Sequence, residues 1–210
     1  MGRWVPAFAG MTGGSVVDPY QTISYISPMT ILPIIEAPDP RLRVVSAPVA
    51  AVDDGLRRLM DDMLATMYDA PGIGLAAVQV GVPKRVVVID LQRRGEVVEE
   101  GVEPADVRDP QFFVNPEIVW ESDEAGIYNE GCLSVPELFG DVVRPLRVRA
   151  KWLGYDGAPQ EAELDGLMAT CLQHELDHLE GVLFFDHLSK LKRDMIVKKL
   201  TKAKRGKLAA

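Results

Sequence analysis

The chain holds 210 residues, 47% of them hydrophobic and 26% charged, with two cysteines and a formal net charge of -8. This is enough apolar material for one domain with a substantial core and too little chain for two full-sized catalytic domains, and it excludes disordered, collagenous and disulfide-scaffold classes. The charge is uneven: from Lys190 to Lys207 the bases crowd around a lone acid, Asp194, which leaves the rest of the chain strongly acidic, so a whole-domain nucleic-acid binder is excluded while a basic tail could dock on a polyanion.

Residues 1–28 are rich in Gly, Pro, Ser and other small residues without sustained periodicity, and Met29-Thr30-Ile31-Leu32 reads like an independent start into ordered sequence. They are expected to be a disordered extension or an upstream start-site artefact. A transit peptide fits poorly, because Arg3 is the only base among them and Asp18 is acidic. Residues 29–201 are expected to form one domain, and residues 202–210 a basic flexible tail.

From Val52 the positions Leu56, Leu59, Met60, Met63, Leu64 and Met67 carry the three-four-seven spacing of an amphipathic helix, which Pro71, Gly72 and Gly74 break into a loop. Val86 to Asp90 reads as a short buried strand. Arg94 to Asp109 reads as a charged surface excursion or partly formed hairpin, and Phe112 to Trp120, split by Asn115-Pro116, as strand, bend, strand. From Leu146 the alternation of Leu146, Val148, Ala150 and Trp152 with Arg147, Arg149 and Lys151 has a period of two, and Tyr155-Asp156-Gly157 turns into Gln160 to Leu164. Asp165 to Glu180 reads as a central helix stopped by Gly181. Ser189 could cap a last helix bearing Leu191, Met195, Ile196 and Leu200. This order predicts an α+β fold, with antiparallel or mixed sheets around the central helix and a C-terminal helix in a single domain. The longest apolar runs, such as Ile31 to Ile35 and Gly181 to Phe185, are far shorter than the roughly 20 residues that cross a bilayer. No membrane partner is expected. With no signal-peptide pattern, Cys132 and Cys171 are read as free thiols in a reducing compartment.

The strongest local signal is His174-Glu175-Leu176-Asp177-His178. Two imidazoles four residues apart share one face of a helix and can meet one metal ion, with Glu175 beside them to take a proton from water. A third ligand is needed. No Glu follows Glu180, and the residue that would be a third histidine beyond Gly181 is Phe184, so both common solutions fail. Cys132, Cys171 and, more weakly, His187 remain as candidates. Cys171 stands three residues before His174, where coordination to the same ion is awkward. Cys132, in the turn-like Glu130-Gly131-Cys132-Leu133-Ser134, is preferred, giving a Cys, His, His site with a fourth position open.

Gly72-Ile73-Gly74-Leu75-Ala76-Ala77-Val78-Gln79, Glu130-Gly131-Cys132-Leu133-Ser134 and Gln173-His174-Glu175-Leu176-Asp177-His178 resemble the three signature motifs of the bacterial peptide deformylases, in order and spacing, over roughly residues 31 to 200. The resemblance implies hydrolysis of the N-formyl group from nascent formyl-methionyl polypeptides with release of formate. It implies Cys132, His174 and His178 as metal ligands, Glu175 as general base and acid, and Gln79 with the Leu133 backbone N–H as stabilisers of the oxyanion. It implies Fe(II) as the ion, with zinc, nickel or cobalt able to occupy the same ligands. Glu130 and Gln173 would support the ligands. Gly72, Ile73 and Gly74 would align an extended peptide, with Tyr128, Ile73, Leu167, Thr170 and Cys171 around the methionine side chain. Thr170 and Phe139 depart from many relatives, which have an aliphatic residue and an arginine there. A bacterial cytoplasmic monomer is expected, whose basic final helix can touch the ribosome. The competing readings are a metallopeptidase and a catalytically silent ribosome-associated binding protein.

Overall fold

A computed structural model describes residues 29–92 and 108–209, so the expectations for residues 1–28 and for nearly all of the Arg94 to Asp109 excursion lie outside the described residues. The first helix, α1 (Asp54–Asp69), starts where Asp53 accepts the Leu56 N–H at 2.8 Å. Its predicted stripe is the one that packs: Leu56, Met60, Met63 and Met67 are buried in a cluster with Leu75, Val86, Val88 and Val114. Val52 falls before the cap and outside the helix.

Seven strands follow among the described residues: β1 (Gly74–Ala76), β2 (Val86–Ile89), β3 (Gln111–Glu121), β4 (Ala125–Cys132), β5 (Val135–Pro145), β6 (Arg147–Leu153) and β7 (Pro159–Asp165). Five of them form a sheet in the order β1-β2-β3-β6-β7, with antiparallel neighbours, and β4 pairs with β5 in a separate two-stranded sheet. The expected loop after Pro71 is therefore brief, because Gly74 to Ala76 pair with Ile89 to Val87 as the edge of the larger sheet. The expected bend at Asn115-Pro116 is a bulge inside one continuous strand. Register shifts between Val114 and Glu117, Asn115 takes φ 51°, and its side chain exchanges two hydrogen bonds with the Val49 backbone. Pro116, lacking an N–H, is accommodated at such a break in the ladder.

The β4–β5 hairpin lacks a clear alternation in the sequence. Its cross-strand pair Ile127 and Val143 is exposed, as is Phe139, so apolar residues stand on both faces and the period of two is hidden. The central helix α2 (Gly166–Leu179) packs Cys171, Leu172 and Leu179 against Ala76, Val87, Ile89, Phe113 and Ala150 of the larger sheet. A 3-10 turn, Phe184–His187, leads to α3 (Lys190–Ala209). Only Ile196 and Leu200 of the apolar residues expected on α3 are buried, in the cluster of Leu42, Val135, Val142, Phe184 and Phe185; Leu191 and Met195 face outward. The helical backbone of α3 continues through residues 202–209, where a flexible tail is expected from sequence.

Gly181 ends α2 at φ 72°, and a Cβ there would come within 2.6 Å of the Arg43 carbonyl oxygen. Both the left-handed backbone and this contact with main chain require glycine. Gly181→Ala is expected to lower the urea unfolding free energy by at least about 2 kcal/mol. Leu191→Ala on the exposed face of α3 should stay within about 0.5 kcal/mol of the parent in the same titration.

Candidate metal centre

Two elements meet to form the site. Cys132 is the last residue of β4, and His174 and His178 stand one turn apart on the buried face of α2. One ligand atom from each of the three lies within 4.8 Å of the others, with Cys132 Sγ 3.2 Å from His178 Nε2. One thiolate sulfur and two imidazole nitrogens, converging and largely buried, suit a divalent transition metal and leave room in its coordination for water or substrate. Neither alternative third ligand joins the cluster. Cys171 Sγ has the Ile73 carbonyl as its neighbour at 3.9 Å, and burial pushes its thiol well up. His187 Nε2 instead donates to Asp177 Oδ2 at 2.7 Å.

The ligands are held from behind. His174 Nδ1 donates to Glu130 Oε2 at 2.8 Å, which fixes the tautomer that leaves Nε2 as the coordinating atom. Glu130 is itself gripped by Arg144, whose Nε reaches Oε1 at 2.5 Å and Nη2 reaches Oε2 at 3.0 Å, while Nη2 also meets Asp177 Oδ2 at 2.9 Å. Burial alone would raise the Glu130 pKa, but the hydrogen bonds from His174 and Arg144 outweigh it and hold the carboxyl at about 2. Burial would likewise lower His174, yet its contacts with Cys132 and Glu130 raise it well above the usual imidazole range. His178 goes the other way, depressed by burial and then by the charge of His174. Gln173 stands back from the ligands: its Nε2 donates to the Pro145 and Ala169 carbonyls, both at 3.0 Å, and ties α2 to the end of β5.

In front of the ligands lies a cleft of about 620 Å³. Gly72, Ile73, Gly74, Gln79, Tyr128, Glu130, Cys132, Leu133, Leu167, Thr170, Cys171, His174 and Glu175 all line it, as does Phe139 at its rim, with the aromatic ring lying over Gly131. His178 sits behind this surface. The Glu175 carboxyl is buried and raised to about 7, chiefly by loss of solvent, and its Oε2 has no hydrogen-bond partner among the described residues. Gln79 occupies the turn after β1. Its Oε1 accepts the Ala76 N–H at 2.8 Å, so its Nε2 is committed as a donor, 3.1 Å from Ser134 Oγ and 3.6 Å from Cys132 Sγ. Gly74 is required by this crowding, since a Cβ there would collide with the Glu175 carboxylate and stand 2.8 Å from Cys171 Sγ.

Arg144, Asp177 and Ser134 are not singled out by the sequence reading. A signal for Arg144 exists: it follows Val142 by two residues on a strand, the parity of the buried face, where an arginine is unexpected without a carboxylate partner. Glu130→Ala leaves that guanidinium buried with Asp177 as its remaining side-chain partner among the described residues and frees the His174 ring. The variant should bind its metal about 10- to 100-fold more weakly in a competition with a chromophoric chelator. It should also unfold about 3–5 kcal/mol more easily in urea.

The family model described as polypeptide deformylase matches residues 31–194. The peptide deformylase of Rhizorhabdus wittichii is 61% identical over 182 residues, covering 87% of this chain and all of that protein, and that of Zymomonas mobilis is 57% identical over 177 residues, covering 84% and 97%. The crystal structure of peptide deformylase from Ehrlichia chaffeensis superposes with a TM-score of 0.77 at 43% identity, covering 85% of this chain and 99% of that one. The crystal structure from Legionella pneumophila gives 0.75 at 44%, covering 86% and 99%. With the match spanning the strand that carries Cys132 and the helix that carries both histidines, this chain belongs to the polypeptide deformylase family.

Proposed function

We propose that this protein hydrolyses the N-formyl group of peptides that begin with formyl-methionine, releasing formate and a free amine. The observation that carries the reading is the convergence of Cys132, His174 and His178 within 4.8 Å in the wall of a cleft that also presents Glu175 and the Gln79 amide. A catalytically silent binding protein would have no use for that combination. A metallopeptidase that cuts internal bonds is disfavoured by the crowding at the reacting end, where even a Cβ on Gly74 would collide with Glu175 and Cys171.

A divalent ion held by Cys132, His174 and His178 would supply Lewis acidity, making water acidic near neutral pH and polarising a carbonyl. The remaining work falls to the chain. Glu175, unpartnered at Oε2 and raised by burial to about 7, takes the proton that the attacking water gives up. It returns that proton to the nitrogen as the C–N bond breaks, so the products are formate and an amine. Gln79 Nε2 and the Leu133 N–H donate to the carbonyl oxygen as charge grows there. Gln79 is pre-aimed for this, because its own oxygen is tied to Ala76.

Gly72 and Ile73 lead into Gly74 at the start of β1, the edge strand of the larger sheet, and the three line the cleft where main-chain groups can align an extended peptide. Tyr128, Leu167, Thr170 and Cys171 give the methionine side chain an apolar slot. The preferred ion is Fe(II), with zinc, nickel or cobalt compatible with the same ligands. The protein is read as a monomer of the bacterial cytoplasm. The exposed bases of α3, including Lys198, Lys199 and Lys202, would attract ribosomal RNA near emerging nascent chains.

Protein purified without oxygen and loaded with Fe(II) should release formate from a formyl-Met tripeptide and leave the acetylated peptide intact; no formate from iron-replete protein would overturn the reading. Glu175→Gln should keep its metal and lose about 10²- to 10⁴-fold in turnover. In co-sedimentation with ribosomes, replacing Lys198, Lys199 and Lys202 by Glu should abolish binding, while hydrolysis of the free tripeptide stays unchanged.

A further inference from the structure

Asp177 lies between the two histidine ligands on α2 and takes no part in the ligand cluster. Its Oδ2 accepts from Arg144 Nη2 at 2.9 Å and from His187 Nε2 at 2.7 Å. A carboxylate only accepts, so the His187 proton stands on Nε2. His187 closes the 3-10 turn Phe184–His187, and the ring of Phe184 at the other end of that turn stacks on His174 with centroids 6.4 Å apart. The His187 side chain is 37% exposed, against 7% for Arg144 and 3% for Glu130. A line of hydrogen bonds thus runs from a surface imidazole through Asp177, Arg144 and Glu130 to His174 in the buried ligand set.

We propose that His187 is a positioning residue for the metal centre, acting through Asp177 and Arg144 on the Glu130 carboxylate that orients His174. This rests on the assignment of Cys132, His174 and His178 as the ligands. The physical argument is the rigidity of the guanidinium plane. Glu130 takes Nε and Nη2, Asp177 takes Nη2 from a second side, and those contacts together fix the angle at which Glu130 presents Oε2 to His174 Nδ1. Asp177 has its own side chain 22% exposed, so without the His187 N–H its carboxylate can turn to water and release its hold on Arg144. Ring orientation and ligand basicity at His174 then both loosen. Because three residues stand between His187 and the ligand, its effect is smaller than that of removing Glu130.

The test uses the full chain loaded with Co(II) without oxygen, as wild type, His187→Gln and His187→Leu. Gln places an amide N–H where Nε2–H stood; Leu fills the space without a donor. Release of Co(II) to excess chelator should be about three- to tenfold faster in His187→Leu, with shifted visible absorption bands, and should return to within about twofold of wild type in His187→Gln. The metal-free proteins should share one urea midpoint. Identical release and spectra in all three proteins would overturn the proposal, as would equal changes in both variants accompanied by a lowered midpoint, which would mark a packing role. Failure of the wild type to take up Co(II) would remove the ligand assignment itself, and the proposal with it.

Discussion

The site depends on a carboxylate buried where a charge should not survive. Glu130 stands on β4 at 4% exposure, and an isolated carboxylate there would cost several kcal/mol or take up a proton. Arg144, two-pronged from the neighbouring strand, keeps it ionised, and the β4–β5 register that pairs Tyr128 with Val142 and Glu130 with Gly140 is what brings the two side chains to one face. Once ionised, Glu130 has one acceptor directed at His174 Nδ1, and the imidazole has no freedom to choose its tautomer. The hairpin thus supplies Cys132 to the ligand set and, two residues earlier, the group that aims a ligand from the helix. Replacing such a buried pair with apolar residues of similar volume often stabilises a protein, so this pair is better understood as a means of orientation than of stability.

The second constraint is close approach. β1 must come near enough to α2 for the Gln79 turn and Glu175 to face the same space, and that proximity leaves no volume for a side chain at Gly74. Gly72 is limited in the same way by Leu133, with a Cβ there 2.7 Å from Leu133 Cδ1. Leu133 in turn follows Cys132 directly. Backbone paths from the sheet edge, the hairpin tip and the helix therefore fit one another at glycines, and rigid elements rather than loops hold most of the groups around the metal centre.

How much of this was legible from sequence follows from how each element is buried. The α1 stripe and the β6–β7 alternation were readable because each element hides one face and wets the other; Val148 and Ala150 are buried while Arg147 and Arg149 lie in surface ion pairs. The β4–β5 hairpin was not, since Ile127, Val143 and Phe139 face solvent and erase the contrast. The histidine pair could be read from spacing alone, because a helix dictates where residues four apart must point. Cys132 could be reached only by setting aside other ligands and by resemblance, since its approach to His178 spans 46 residues of chain. The pairing of Arg144 with Asp177 was hidden for the same reason: an ion pair across two elements has no local period, so the buried-face parity of Arg144 signals a carboxylate partner without saying which one.

Buried polar atoms without partners show where the fold gives way to function. Among the described residues these are Ser46 Oγ, Glu175 Oε2 and His178 Nδ1, and the last two belong to the metal centre. A folded protein leaves few such atoms, because each forfeits a hydrogen bond it had in water. At Glu175 that loss raises the proton affinity of the carboxyl. A carboxylate satisfied by Arg144, as Glu130 is, sits at about 2 and would be too weak a base to take a proton from water; one deprived of partners and solvent rises to about 7, where it can accept and return a proton at neutral pH. The two glutamates are both buried and differ in whether His174 and Arg144 donate hydrogen bonds to them, and that difference holds one carboxyl ionised and lets the other rise toward neutrality.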